Sequence, residues 1–259
     1  MTCAADVNGA RLVYSDIGCG IPLLCLHGGM GIDRRSLLVR GILDLAGHGI
    51  RLIVPDQRGH GESSVGDDSQ YTHETWAADV RELARHLGLE RFALLGHSYG
   101  GFVALEYATR WPDTLTHVVL VATSAGPVHV LARSFGSDSD LRDHFRDVWP
   151  RFFARDDKHR ELFDALTFSA APYNAAFTRE LPRYDLRRQV SELTMPALSI
   201  VGSEDWYVPD MEWIARNTKR STLCIIDGAG HFPFIEGADR FVQAVAAFLT
   251  GCEAETPLG

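Results

Sequence analysis

Six short apolar runs recur along the chain: PLLCLH (22–27), RLIVP (51–55), FALLG (92–96), HVVLV (117–121), ALSIVG (197–202) and TLCIID (222–227). Several are apolar at successive positions, so both faces of the strand need cover. Central strands of a parallel sheet, with helices on each side, meet that need. Upstream, RLVYS (11–15) follows Asn8-Gly9, a hairpin-type turn pair. Trp76, Val80, Leu83 and Leu87 recur at steps of four, three and four, one apolar stripe of a helix over 73–88 that stops at Gly88. Phe241, Val245 and Phe248 repeat the pattern over 238–249. Repeated strand-then-helix order predicts fold class α/β, an open and mostly parallel sheet flanked by helices.

The order breaks between 126 and 193. That stretch carries charged helical pieces and no core strand, yet holds ten of the chain's 25 aromatic residues. The expected organisation is an α/β core made of residues 1–125 and 194–259, with 126–193 inserted as a helical cap over a pocket. Phe135, Trp149 and Phe153 are candidate pocket residues; the same rings could equally form a small core within the insertion.

Composition narrows the partners. The net charge of −9 is spread along the chain without a basic run, which argues against nucleic acid and anionic membrane surfaces. No run approaches the roughly 18 apolar residues of a membrane span, and MTCAADVNGARLVY lacks a basic-then-apolar leader. The five cysteines (Cys3, Cys19, Cys25, Cys224, Cys252) are odd in number and form no CxxC pair. A reduced cytoplasmic protein without disulfide framework or metal site is expected. The oligomeric state is not legible.

The chemistry concentrates at strand ends. Gly96-His97-Ser98-Tyr99-Gly100 is a G-x-S-x-G placed between a strand and a helix, the pattern that presents a serine Oγ on a strained turn. A serine hydroxyl needs a base, and the base needs a carboxylate to orient it. His231, in DGAGHFPF after the last strand, and Asp205, in IVGSEDWYVP after the preceding one, lie on loops at the same end of the sheet as Ser98. Glu204 is the rival acid. Oxyanion donors are expected from the backbone N–H groups of Tyr99 and of Gly29, in the loop His27-Gly28-Gly29-Met30-Gly31. His27 reads as a brace for that loop. Asp56-Gln57-Arg58-Gly59-His60-Gly61-Glu62-Ser63 reads as a tight structural turn, with Arg58 or His60 able to border the pocket.

Together HGGMG, DQRGHGES, GHSYGG, GSEDWYVP and DGAGHFPF resemble the α/β-hydrolase superfamily from about residue 10 to 250. The HGG-plus-DQRG pairing is similar to the proline iminopeptidase branch and its esterase-like relatives. The resemblance implies a serine hydrolase that needs no cofactor, acting on a small molecule between core and cap. Two departures stand out. Met30 replaces the proline of the branch's usual HGGPG, and Trp206 follows Asp205 where several of its peptidases place a glutamate for the substrate ammonium. Within the cap, Glu161 and Glu180 remain as candidates for that role, and no motif picks either one out. With Met30 and Trp206 at the rim, an uncharged ester, lactone or thioester is the expected substrate. Prolyl-peptide hydrolysis, carbon–carbon bond hydrolysis and a non-catalytic receptor are the alternatives.

Overall fold

A computed structural model describes residues 1–128, 133–155 and 159–251. Its strands are β1 (Thr2–Val7), β2 (Ala10–Ile17), β3 (Ile21–Leu26), β4 (Ile50–Pro55), β5 (Phe92–His97), β6 (Leu115–Val121), β7 (Ala197–Gly202) and β8 (Ser221–Ile226). They form one sheet in the order β1-β2-β4-β3-β5-β6-β7-β8. The six strands from β4 to β8 across the sheet run parallel, and β1 and β2 are antiparallel additions at one edge. The apolar runs sit where expected, within one or two residues. β1 is the strand not anticipated: its burial alternates and it lacks an apolar run. Its mate β2 turns back through Asn8-Gly9, both with positive φ (49° and 70°), as a tight hairpin requires.

Helices cover both faces. On one lie α1 (His73–His86) and α2 (Tyr99–Arg110), whose Trp76, Val80, Phe102 and Val103 pack on Leu24, Leu26 and Leu94. Between β6 and β7 come α3 (Asp138–Val148), α4 (His159–Ala165) and α5 (Ala170–Ala175). After β7, α6 (Val208–Asn217) returns to the first face through Met211 and Ile214. On the opposite face α7 (Ala238–Thr250) buries Phe241 and Val245 with Ile42. Phe248 is only half-buried, edge-on to His117 at 5.0 Å.

The strand order reverses at β3: the chain leaves it for β4 on one side and returns as β5 on the other. In open parallel sheets the crevice at such a switch point, outside the carboxyl ends of the strands, is where functional groups collect. Here it lies between His27-Gly28-Gly29 and Ser98. Cys25 is fully buried in the sheet, where loss of water raises its thiol pKa, and Cys3, Cys19 and Cys224 are free thiols as well. Cys252 lies outside the described residues. Among the described residues no helix is long and apolar enough to cross a membrane.

Candidate active site

Ser98 sits between β5 and α2 with φ 51° and ψ −116°, a region that costs a non-glycine residue about 1–3 kcal/mol. The bend is held on both sides: the Ser98 N–H donates to the Val121 carbonyl at 2.8 Å, and the Gly101 N–H to the Ser98 carbonyl at 2.9 Å. Two glycines make the bend sterically feasible. A Cβ on Gly100 would run into the Leu26 carbonyl at the end of β3, and one on Gly96 into the Gly100 carbonyl. So α2 packs directly against the sheet and leaves Ser98 part-exposed at its end.

The structure brings Ser98, His231 and Asp205 together. Ser98 Oγ is 2.8 Å from His231 Nε2, and His231 Nδ1 is 2.8 Å from Asp205 Oδ2. The second carboxylate oxygen of Asp205 accepts the Tyr207 N–H at 2.9 Å, which fixes the rotamer. An imidazole that donates from Nδ1 to a carboxylate offers its Nε2 lone pair to the serine hydroxyl and can take its proton. The rival Glu204 carboxylate accepts from the Ser203 hydroxyl at 3.2 Å instead. His231 is also held by its backbone. Its N–H donates to the Phe152 carbonyl at 2.7 Å, and its carbonyl accepts from His97 Nε2 at 2.8 Å. His97 is therefore the Nε2–H tautomer, and burial followed by the nearby His231 pushes its pKa well below the usual imidazole range.

Glu236 ties the same loop to the helical segment. Its two carboxylate oxygens accept the Gly230 N–H at 2.6 Å and the Arg155 N–H at 2.7 Å. Phe153 stacks on Phe232 at 5.0 Å with 8° between planes, so residues 152–155 form a strap across the His231 loop. Phe152, His97 and Glu236 were not singled out in the sequence. Only Glu236 left a signal there, as the acid that closes GHFPFIE.

The HGGMG loop meets the elbow at Gly28, where a Cβ would lie 2.7 Å from Ser98 Cβ. That brings Gly29 (φ 54°) alongside the serine, and Tyr99, first residue of α2, has its N–H outside the helical ladder. Two buried histidines hold the loop from behind. His27 Nε2 accepts the Gln57 N–H at 3.1 Å, and His60 Nε2 accepts the Gly31 N–H at 2.9 Å. Burial, chiefly, pulls their pKa values down to about 4 and about 3, so both stay neutral and can accept. Arg58 is buried too, paired with Asp79 at 2.6 Å; it and His60 are structural parts of the turn.

One expectation of position needs correcting. Met30 is not at a rim: it is fully buried in the apolar cluster that also holds Tyr99 and Ala176, and the next residue, Gly31, accepts the Ser169 N–H at 2.8 Å. Trp206 is 50% exposed and stacks on His231 at 4.4 Å. Phe135 packs on Tyr173 at 5.3 Å and Trp149 on Phe232 at 5.3 Å, both buried. Glu180 accepts the His73 N–H at 2.9 Å at the start of α1, and Glu161 is exposed. Among the described residues no cluster of His, Cys, Asp or Glu side chains is arranged to hold a metal ion.

A family model described as alpha/beta hydrolase fold matches residues 21–194. The chain belongs to the α/β-hydrolase family. Relatives of this α/β-hydrolase include the proline iminopeptidase PfmaB of Pestalotiopsis fici, 26% identical over 94% of this chain and 98% of that one. It is also similar to the 2-hydroxymuconate semialdehyde hydrolase of Pseudomonas sp. strain CF600, 28% identical over 95% and 93% of the two chains. Among solved structures, the enol-lactonase of Burkholderia xenovorans LB400 superposes with a TM-score of 0.82 at 28% identity, covering 96% of this α/β-hydrolase and 100% of the lactonase.

Proposed function

We propose that the protein hydrolyses a carboxylic ester, lactone or thioester of a small, largely apolar substrate through an acyl-Ser98 intermediate. His231 takes the Ser98 proton, delivers it to the leaving group, and then activates water for deacylation. Asp205 keeps the imidazole in the right tautomer and stabilises the imidazolium. The N–H groups of Gly29 and Tyr99 receive the oxyanion, and residues 126–193 serve as the cap over the substrate. The observation that carries this reading is the unbroken Ser98–His231–Asp205 hydrogen-bond chain, 2.8 Å at each link. A fluorophosphonate probe should label the wild-type protein and leave Ser98→Ala unlabelled. Full esterase activity in the alanine variant would refute the assignment.

Proline iminopeptidase activity is the second reading, favoured by the names of several relatives, from Pestalotiopsis fici, Saccharolobus solfataricus and Lactobacillus helveticus among others. A buried substrate ammonium needs a carboxylate partner. The two cap glutamates singled out as candidates offer poor ones: Glu180 is engaged at the start of α1 and Glu161 faces solvent. A proline arylamide assayed beside a short nitrophenyl ester separates the readings; strong preference for the amide would reverse the order.

A further inference from the structure

We propose that Trp206 is the platform for the leaving group, and that the preferred substrates are esters whose alcohol half is planar and unsaturated, aryl or enol. The inference rests on the acyl-Ser98 reading and specifies which half of the substrate this part of the site selects. As Ser98 Oγ bonds to the acyl carbon, the bond from that carbon to the alcohol oxygen breaks, and the proton on His231 Nε2 passes to that oxygen. The departing oxygen must therefore lie beside the Nε2 edge of His231, and whatever borders that imidazole borders the leaving group.

What borders it is aromatic. The Trp206 ring lies 4.4 Å from the His231 ring, tilted by 21°, and Phe152 lies 5.5 Å from His231 and 5.4 Å from Trp206. Tyr207 closes the group from below, buried, at 5.8 Å. Trp206 differs from its neighbours in exposure. It is the one aromatic among the large hydrophobic side chains that stand exposed in the described residues, and half its surface is uncovered. His231 and Phe152 each cover part of the indole, and the half of its surface that stays uncovered is flat and apolar beside the imidazole that must donate the proton. A planar unsaturated leaving group would stack there and cover it, whereas a compact alkoxide would leave it wet.

Two acetates with leaving groups of matched acidity test this: 4-chlorophenyl acetate and hexafluoroisopropyl acetate, compared by kcat/KM. Matching acidity removes the intrinsic reactivity of the aryl ester from the comparison. The wild-type protein should favour the aryl ester by about tenfold, the order of one aromatic contact. In Trp206→Ala that ratio should collapse toward one, and Trp206→Phe should retain most of it. Equal wild-type rates would overturn the platform, and so would an alanine variant that slows both esters in parallel with the ratio intact. Failure of the underlying reading looks different: neither ester would be turned over and the fluorophosphonate would not label Ser98.

Discussion

Lowering the pH from 8 to 5 should strip several kcal/mol of stability from this fold, and the reason lies in four buried histidines. His27, His60 and His73 have pKa values of about 4, about 3 and about 3, and His97 lies well below the usual value, each mainly because burial disfavours the cation. In the unfolded chain a histidine titrates near pH 6.5. A depressed folded value means that the stability is complete above about pH 6.5 and is lost as the pH falls toward the folded values, because only the unfolded chain binds the protons. At pH 5 each unfolded histidine has gained about 2 kcal/mol by protonation that its folded counterpart has not. For the three with assigned values this is about 6 kcal/mol, with His97 adding in the same direction. A domain stable by about 5–15 kcal/mol loses much of its margin. Asp56 and Asp79, whose carboxyls burial raises in the folded state, act in the opposite sense, taking up protons there as the pH falls and offsetting part of the loss. Urea unfolding at pH 8, 7, 6 and 5, followed by tryptophan fluorescence, reads the loss as a falling midpoint at constant slope. His60→Gln keeps a side-chain oxygen that can accept the Gly31 N–H, and should shrink the drop by about 2 kcal/mol. Stability flat to within about 2 kcal/mol across that range would refute the reasoning.

Asp205→Asn should lower kcat roughly 10³–10⁴-fold through loss of the His231 tautomer, whereas Glu204→Ala should leave kcat within a few-fold; steady-state ester kinetics decide it. Gly100→Ala sets a methyl against the Leu26 carbonyl and should destabilise the fold by about 1–3 kcal/mol or more, seen as a lower Tm. Glu236→Ala removes the acceptor of the part-buried Gly230 N–H and of the exposed Arg155 N–H, which water can serve, and should cost about 1–3 kcal/mol in all, chiefly through Gly230. Because those bonds position the His231 loop, kcat should fall more than KM rises.

The sheet was largely legible because buried strands must be apolar at successive positions, and LLCL or FALLG cannot be read otherwise. β1 escaped because an edge strand such as TCAADV buries only part of its surface, so its composition stays mixed. The serine, histidine and acid were legible because each stands at a strand end, and strand ends of a parallel sheet share one edge. The residues that hold them were not. Phe152 acts on His231 through a main-chain carbonyl, which every residue possesses, and His97 acts on the His231 carbonyl from 134 positions away. The burial of Met30 was hidden for a related reason: it packs in a cluster with residues as distant as Ala176, contacts with no local sequence mark.

The two backbone bonds of His231 tie the seating of the strap to the readiness of the base. The elbow holds its carbonyl and the strap holds its N–H, so the backbone that carries the imidazole is anchored from both sides, while Asp205 orients the ring itself. Any displacement of residues 152–155 would release that N–H in the same motion, so the seating of the strap and the seating of the base's loop are one structural unit.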